Sequence, residues 1–194
     1  MRPPIIWRTA SVVWLSAIAT GWVMLAMHQS SPGAVANVPE HWPAGSSIER
    51  AQGSATLVLF AHPRCPCTRA TLGELEEIVA HCQGRVDLWI VFFKPSASEA
   101  NWDKTDLWRT AAAIPGARVI GDEDGCEAAR FGAMTSGHVM VYEPRGTLLF
   151  SGGITSARGH AGDSPGHASV EACLLRGTTT CNSAPVFGCP IAIR

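Results

Sequence analysis

The sequence predicts an α/β protein in which a central mixed β-sheet is flanked by helices, with a membrane segment at the N-terminus. Three observations predict this. An uncharged apolar stretch stands near the N-terminus, short branched apolar runs alternate with helical patterns in the middle of the chain, and two further apolar runs are joined by a turn. Strands that alternate with helices are typical of parallel βαβ units, and a hairpin adds antiparallel strands.

The membrane segment comes first. Residues 9–27 carry no charged side chain. A helix of that length, rising about 1.5 Å per residue, spans roughly 30 Å, the thickness of a bilayer core. Arg2 and Arg8 precede the segment, and the first acidic residue is Glu40. The positive-inside rule therefore predicts a cytoplasmic N-terminus and an exported remainder.

Residues 1–28 are accordingly predicted to be a signal anchor, a single transmembrane helix. The alternative is a cleaved signal peptide, because Ala34-Val35-Ala36 fits the small-residue cleavage pattern. The apolar run is longer than a usual signal-peptide core, which favours the anchor. Both interpretations place the remainder in an extracytoplasmic (periplasmic) compartment, where disulfides persist.

The rest of the chain divides by composition. Residues 29–47 are rich in Pro, Gly, Ser and Ala, which predicts a flexible linker. The globular domain is predicted over residues 48–176, and residues 177–194 form a cysteine-containing tail. The formal net charge of the 194-residue chain is −1 and its basic residues are scattered. We therefore expect no nucleic-acid partner.

Local patterns predict each element of the domain. The apolar runs at 55–61 and 86–93 are typical of buried strands, and the helical spacing of residues 68–82 completes a βαβ unit. In that helix Glu74 is expected to face away from the core, and Gly84 is expected to end it. The later patterns predict a helix at 104–113, a strand at 117–120, a helix at 123–131, a strand at 138–142, a strand at 147–151 and a helix at 164–175.

The segment Pro63-Arg64-Cys65-Pro66-Cys67 lies where the first strand turns into the first helix. Free N–H groups and the positive dipole end of a helix N-terminus favour a thiolate and lower its pKa. Pro66 fixes the turn, and Arg64 is expected to add positive charge beside Cys65. We therefore predict a redox-active pair, Cys65 and Cys67. Cys65, expected to be outermost in the loop, is favoured as the attacking thiol, and Cys67 is the alternative.

Phe60-Ala61, followed by a cysteine-containing loop and an amphipathic helix, resembles the active-site corner of the thioredoxin superfamily. Residues 137–146 resemble that superfamily's strand and turn after its cis-proline, and the resemblance covers about residues 54–176. Three further segments make the chain similar to a bacterial subgroup called RedB-like: Gly152-Gly153-Ile154-Thr155, Arg158-Gly159-His160 and Val186-Phe187-Gly188-Cys189-Pro190. The resemblance implies a thioredoxin-like fold and a thiol-disulfide oxidoreductase without a cofactor, acting on protein thiols or disulfides with a redox partner.

Two departures from the superfamily pattern bear on function. The Cys-x-Cys spacing closes a tight ring, and strain raises a reduction potential, which favours an oxidant or isomerase. Gly137 stands at the cis-proline position, and the peptide before it is expected to be trans, because a cis bond before a non-proline residue costs roughly 2.5–4 kcal/mol. If His138 approached the two cysteines, the site would suit Cu(I) or Zn. The alternative function is therefore a soft-metal-binding or delivery protein.

The chain has seven cysteines, so at least one has no partner within the chain. Cys82, Cys126 and Cys173 are expected in the core as small apolar side chains. Cys181 and Cys189 follow the last helix. They are candidates for a structural disulfide, or Cys189 folds back to resolve the active pair.

A glycine-rich loop contains His160 and His167, seven residues apart. This spacing fits no standard zinc pattern, and we predict no metal site there. The loop is a candidate lining of the active site. Asp163 or Ser164 is expected to cap the final helix.

Overall fold

A computed structural model describes residues 5–82, 86–179 and 181–191. The chain divides into two compact units, one ending at Ser31 and the other beginning at Pro32. Arg2 and Gly84, invoked above for topology and for a helix end, lie outside the described residues.

The first unit is helix α1 (Ile5–Ser30). The stretch Ile6–Ser30 is long and apolar enough to cross a membrane, judged by length and composition. A signal sequence near an N-terminus meets the same criterion. The predicted apolar helix is therefore present, and both interpretations of it, anchor and signal peptide, are compatible with its length.

The second unit contains a six-stranded mixed sheet with the strand order β3-β2-β1-β4-β5-β6. Strands β1, β2 and β3 are parallel, β4 runs antiparallel to β1, β5 runs antiparallel to β4, and β6 is parallel to β5. The strand bounds are β1 (Ala55–Ala61), β2 (Val86–Lys94), β3 (Ala117–Glu123), β4 (His138–Tyr142), β5 (Leu148–Gly152) and β6 (Ser183–Ala184).

Helices cover both faces of this sheet. They are α2 (Pro66–Cys82), α3 (Asp106–Ala113), α4 (Cys126–Phe131) and α5 (Pro165–Arg176). Apolar side chains of α2, α3 and α5 share one core cluster with Leu59 and Val139 of the sheet. On the other face, Phe131 of α4 packs with Phe60 and Met140. A βαβ unit followed by an antiparallel hairpin and a helix, around one mixed sheet, is the thioredoxin-like fold that the sequence predicts.

The observed bounds of some strands and helices differ from the predicted ones, because tertiary contacts extend or shorten these elements. Strand β3 continues to Glu123 because it stays paired with β2 as far as Lys94. Helix α4 therefore begins later than predicted, and the Asp122 carboxylate accepts the N–H groups of Glu127 at 2.8 Å and Ala128 at 2.9 Å in its first turn. Strand β6 was not predicted, since two paired residues leave no periodic signal.

The stretch 29–47, expected to be a flexible linker, contacts the domain from Gly33 onward. Gly33 N–H donates to the Val186 carbonyl at 2.8 Å, and Trp42 N–H donates to the Gly146 carbonyl at 2.7 Å. The Trp42 ring meets Tyr142 edge-on with centroids 5.1 Å apart. Backbone hydrogen bonds and the packing of Val38 and Trp42 hold this segment. Neither produces a periodic apolar pattern, which is why composition alone describes it as a linker.

Candidate functional site

Three cysteines meet at the C-terminal end of β1. Cys65 directly precedes helix α2, Cys67 lies in its first turn, and Cys189 arrives from the C-terminal tail. We call these three residues the thiol corner. The Cys65 side chain is 0% exposed and that of Cys67 is 9% exposed, whereas Cys189 is half-buried. Cys65 is therefore not outermost, and that part of the sequence prediction is wrong.

Hydrogen-bond donors converge on Cys65. The backbone N–H of Cys189 lies 3.4 Å from the Cys65 Sγ. Burial raises the pKa of the Cys65 thiol, but hydrogen bonds from the N–H and thiol of Cys189 and from Thr68 outweigh it, so the net pKa is lowered. Donors that stabilise the charged form favour that form. Cys65 is thus the member of the corner best suited to be a thiolate.

Its two neighbours are affected in the opposite direction. Burial, followed by the charge of Cys65 and a hydrogen bond with it, raises the pKa of Cys67. Burial, with a hydrogen bond to Cys65 and the charges of Cys65 and Cys67, raises the pKa of Cys189 to about 12. One thiolate shared with two protonated thiols is the arrangement that the corner favours.

Arg158 is a cation that acts on the corner. The charge of Arg158 lowers the pKa of Cys67 and of Cys189 against the larger raising causes. Its guanidinium also donates to the carbonyl of Gly188 in the tail. Arg64 instead lies over the Trp102 ring, 4.5 Å from its centroid, and the causes that shift the pKa of Cys65 are burial and hydrogen bonds.

His62 was missed by the sequence analysis. Its ring stacks on Phe93 with centroids 5.9 Å apart and meets Trp102 edge-on at 5.7 Å. Burial and then the charge of Arg64 lower the pKa of His62, so the imidazole is neutral at pH 7. The signal that could have found it is its position, one residue after β1 and three before Cys65.

Ser136 connects His62 to the corner. The His62 N–H donates to the Ser136 hydroxyl at 2.8 Å, and that hydroxyl lies 2.8 Å from the Thr68 hydroxyl. Because the Thr68 hydroxyl gives its one proton to Cys65, it accepts from Ser136, and Ser136 in turn accepts the backbone N–H of His62. This chain of donors ends on the thiol whose pKa is lowered.

Gly137 occupies a left-handed backbone conformation with φ at 93°. Its N–H donates to the Phe60 carbonyl at 2.8 Å. A Cβ added here would approach the Thr71 hydroxyl to 3.1 Å, so glycine suits both the angle and the space. No peptide bond among the described residues is cis, which confirms the trans bond expected before Gly137.

His138 does not reach the cysteines. It pairs with Phe60 across β1 and β4 and so shares the sheet face of Phe60, whereas α2 packs on the other face. Its Nε2 lies 2.8 Å from the Ser151 hydroxyl, and burial lowers the pKa of His138 to about 4. The idea that His138 completes a metal site with the cysteines is therefore wrong. No metal-binding group of three or more His, Cys, Asp or Glu side chains occurs in the described part of the chain.

The remaining cysteines lie apart from the corner. Cys82 and Cys173 are 0% and 1% exposed in the core cluster, as expected. Cys126 is exposed, so its predicted core position is wrong. Cys181 is exposed and its Sγ contacts the Ser183 carbonyl at 2.9 Å. Of the two tail cysteines, Cys189 is the one placed against Cys65.

The glycine-rich loop borders the corner. The Gly159 backbone is among the groups that lower the pKa of Cys67, against the larger effect of burial. Glu74, expected on the solvent side of α2, is 2% exposed. It accepts from the Gly162 N–H at 2.6 Å and pairs with the His167 Nδ1 at 2.6 Å. A buried carboxylate thus fixes the loop, and Ser164 caps α5 by accepting the His167 N–H at 3.1 Å.

Comparison with known proteins supports the fold. No protein-family model matches the chain, and no curated protein matches it by sequence. An uncharacterized conserved protein from Geobacillus kaustophilus has a similar structure, with a TM-score of 0.61 at 17% identity over 85% of this chain and 93% of that one. A hypothetical protein from Sinorhizobium meliloti 1021 gives a TM-score of 0.56 at 21% identity over 83% and 93%. At these identities the likeness establishes a shared fold and does not bear on the reaction.

Proposed function

We propose that this protein is an extracytoplasmic thiol-disulfide oxidoreductase that acts on protein thiols through Cys65-Pro66-Cys67. The observation that carries the proposal is the asymmetry of the pair. Cys65 is a buried thiol whose pKa is lowered by donors, and Cys67, with which it shares a hydrogen bond, has a raised pKa. Perturbed thiols that touch each other at a helix N-terminus are the elements that disulfide exchange needs.

The reaction follows from this asymmetry. A client thiolate attacks the Sγ of Cys65 in a Cys65–Cys67 disulfide, and Cys67 leaves as a thiolate that is then protonated. A second client thiolate attacks the client sulfur of the mixed disulfide and displaces Cys65. The client gains a disulfide, and the pair gains the two electrons. A leaving thiol with a lower pKa departs faster, so the lowered pKa of Cys65 favours the oxidant direction. A separate redox partner reoxidises the pair.

The proposed location and subgroup rest on the sequence. Helix α1 would anchor the chain as a single pass, with Arg8 near the cytoplasmic end and the domain in the periplasm. The RedB-like assignment rests on the Pro63-x-Cys-Pro-Cys motif together with the three further segments quoted for it, one of which contains Cys189 and another Arg158. Two of these segments meet, since Arg158 contacts Gly188 and acts on Cys189, and this contact supports the proposal.

The test is a redox titration of the full chain in detergent. The protein is equilibrated with mixtures of reduced and oxidised glutathione, quenched in acid, alkylated and analysed by mass spectrometry. We expect a two-electron couple that Cys65→Ser abolishes and that the exposed control Cys126→Ser leaves unchanged. If Cys65 and Cys67 stayed reduced at every glutathione ratio, the proposal would fail.

A further inference from the structure

The C-terminal tail lies on the loop before β4 as an added strand. The Ser136 N–H donates to the Cys189 carbonyl at 2.8 Å, the Ile191 N–H donates to the Met134 carbonyl at 2.9 Å, and Thr135 and Pro190 form an antiparallel bridge. Main-chain bonds of this kind are how an extended peptide adds to an exposed backbone edge. We call residues 186–191 the tail strand.

Contacts on its other sides fix the tail strand in this register. Gly33 N–H donates to the Val186 carbonyl at 2.8 Å, and the Arg158 guanidinium donates to the Gly188 carbonyl. The side chains of Val186 and Ile191 are 1% and 3% exposed. The tail strand is thus anchored at both ends by buried side chains, with Cys189 between them.

The position of the tail strand places Cys189 in contact with Cys65. The Cys189 N–H lies 3.4 Å from the Cys65 Sγ, and the two thiols share a hydrogen bond. Cys65 itself has no exposed surface, while Cys189 is half-buried. We propose that the tail strand is a built-in peptide substrate, and that Cys189 passes the disulfide between the buried pair and external thiols. This inference rests on the proposed oxidoreductase function.

The exchange balances without an added oxidant. The Cys189 thiolate attacks the Cys65 Sγ of the Cys65–Cys67 disulfide, a Cys65–Cys189 bond forms, and Cys67 leaves as a thiolate. The proton that Cys189 lost passes to Cys67, so one disulfide and one thiol are present before and after. A client thiolate then attacks the Cys189 Sγ, a client–Cys189 mixed disulfide forms, and Cys65 leaves as a thiolate. A second client thiolate attacks the client sulfur, the client disulfide forms, and Cys189 leaves as a thiolate.

The pKa of Cys189 depends on whether Cys65 and Cys67 are reduced or oxidised, in the direction that the exchange needs. After burial, the causes that raise the pKa of Cys189 are a hydrogen bond with Cys65 and the charges of Cys65 and Cys67. The Cys65–Cys67 disulfide carries neither charge, so the pKa of Cys189 falls when the pair is oxidised. The charge of Arg158 acts in the same direction. Cys189 is therefore protonated beside a reduced Cys65 and more nucleophilic beside an oxidised one.

The test uses Cys67→Ser in the full chain in detergent, exposed to oxidised glutathione and then alkylated. In this variant the corner thiols able to attack oxidised glutathione are Cys65 and Cys189; the neighbouring thiol then attacks the resulting mixed disulfide and displaces reduced glutathione. We expect peptide mapping to find a Cys65–Cys189 disulfide in most of the protein. Cys181→Ser in the same background is the matched control, because Cys181 is a tail cysteine away from the corner, and it should give the same disulfide.

Gly188→Ala, combined with Cys67→Ser, tests the seating while both thiols remain. A Cβ at residue 188 would collide with the Ser136 carbonyl oxygen. We expect the Cys65–Cys189 disulfide to be lost and glutathione to remain on Cys65. Glutathione left on Cys65 in Cys67→Ser itself, with Cys189 alkylated, would overturn the inference and leave the proposed function standing. An unreactive Cys65 in both the wild type and Cys67→Ser would overturn the two together.

Discussion

Cys65 and Cys173 are buried to the same extent, yet the pKa values of their thiols move in opposite directions. Their side chains are 0% and 1% exposed. Cys173 lies on the buried side of α5, where burial raises its pKa to about 11. At the thiol corner burial also raises the pKa of Cys65, but donors from Cys189 and Thr68 outweigh it. The donors, and not the depth, distinguish the reactive thiol from the structural one.

His138 belongs with Cys173 in this comparison. It is 0% exposed, and burial is the cause that lowers its pKa. Tyr142, on the same strand, has its pKa raised by burial as well. Burial thus favours the neutral forms of Cys173, His138 and Tyr142, whereas the donors at the corner favour the charged form of Cys65.

The largest expected effect is on the free energy of unfolding at low pH. It comes from His138, whose burial no hydrogen-bond donor or charge offsets among the causes of its pKa shift. Its pKa is about 4 in the folded protein against 6.5 in the unfolded chain. The unfolded state therefore binds the extra proton first, and folding free energy is lost as the pH falls from 6.5 to 4, by about 3 kcal/mol. Urea denaturation at pH 7 and pH 4.5 measures this.

His138→Gln should remove most of that acid-dependent loss. The exposed control His160→Gln should keep it. An unchanged difference between the two pH values in His138→Gln would show that the loss comes from other groups.

Cys173→Ser tests whether the core cysteine affects stability without affecting the thiol corner. A hydroxyl placed in this apolar cluster lacks the solvation it has in water, so we expect the free energy of unfolding to drop by ~1–3 kcal/mol. The reactivity of Cys65 toward iodoacetamide should not change, because Cys173 is absent from the groups that shift its pKa. Cys126→Ser, at an exposed position, should stay within about 0.5 kcal/mol of the wild type. A drop in Cys65 reactivity in Cys173→Ser would contradict the separation of the two regions.

Thr68→Val sharpens the comparison at the corner. It removes one donor to Cys65 while keeping the side-chain volume, and the thiolate should lose ~1 kcal/mol of stabilisation. The midpoint of the pH profile for iodoacetamide alkylation of Cys65 should therefore move upward. Thr71→Val, one turn further along α2, is the matched control, since Thr71 donates to the Cys67 carbonyl at 3.4 Å and not to the thiol. Equal shifts in both variants would assign the effect to the helix rather than to the donor.

The smallest effect is expected from Arg158→Gln. Arg158 lowers the pKa of Cys67 and Cys189, but it ranks behind burial and the Cys65 charge. Attack of Cys67 on a Cys65–client mixed disulfide, the reverse of the first step proposed above, should slow by only a few-fold, about 1 kcal/mol or less in the barrier. Stopped-flow fluorescence measures this rate, and Arg158→Lys should restore most of it. No rescue by lysine would indicate that the hydrogen bond to the Gly188 carbonyl, rather than the charge, is what matters.

Much of the fold could be predicted because its signals are local. Strands β1 and β4 have the predicted bounds, since each is a short apolar run with clear limits. The Cys65–Cys67 corner followed from the same patterns. The contact of Cys189 with Cys65 joins residues 124 positions apart, and the role of Arg158 depends on where its loop folds. Glu74 was misplaced because its partner, His167, lies 93 positions away. Periodicity carries no information about such contacts.

The tail strand also affects how the cysteines of the thiol corner are oxidised by peroxide. A thiolate open to solvent reacts with peroxide and passes through sulfenic to sulfinic acid, a change that is irreversible for most proteins. Cys65 combines a lowered pKa with no exposed surface, because Cys189 and its backbone lie against it. Any sulfenic acid formed there would sit beside a thiol able to condense with it into a disulfide. The tail strand, which covers Cys65, therefore also protects this thiol from irreversible oxidation to sulfinic acid.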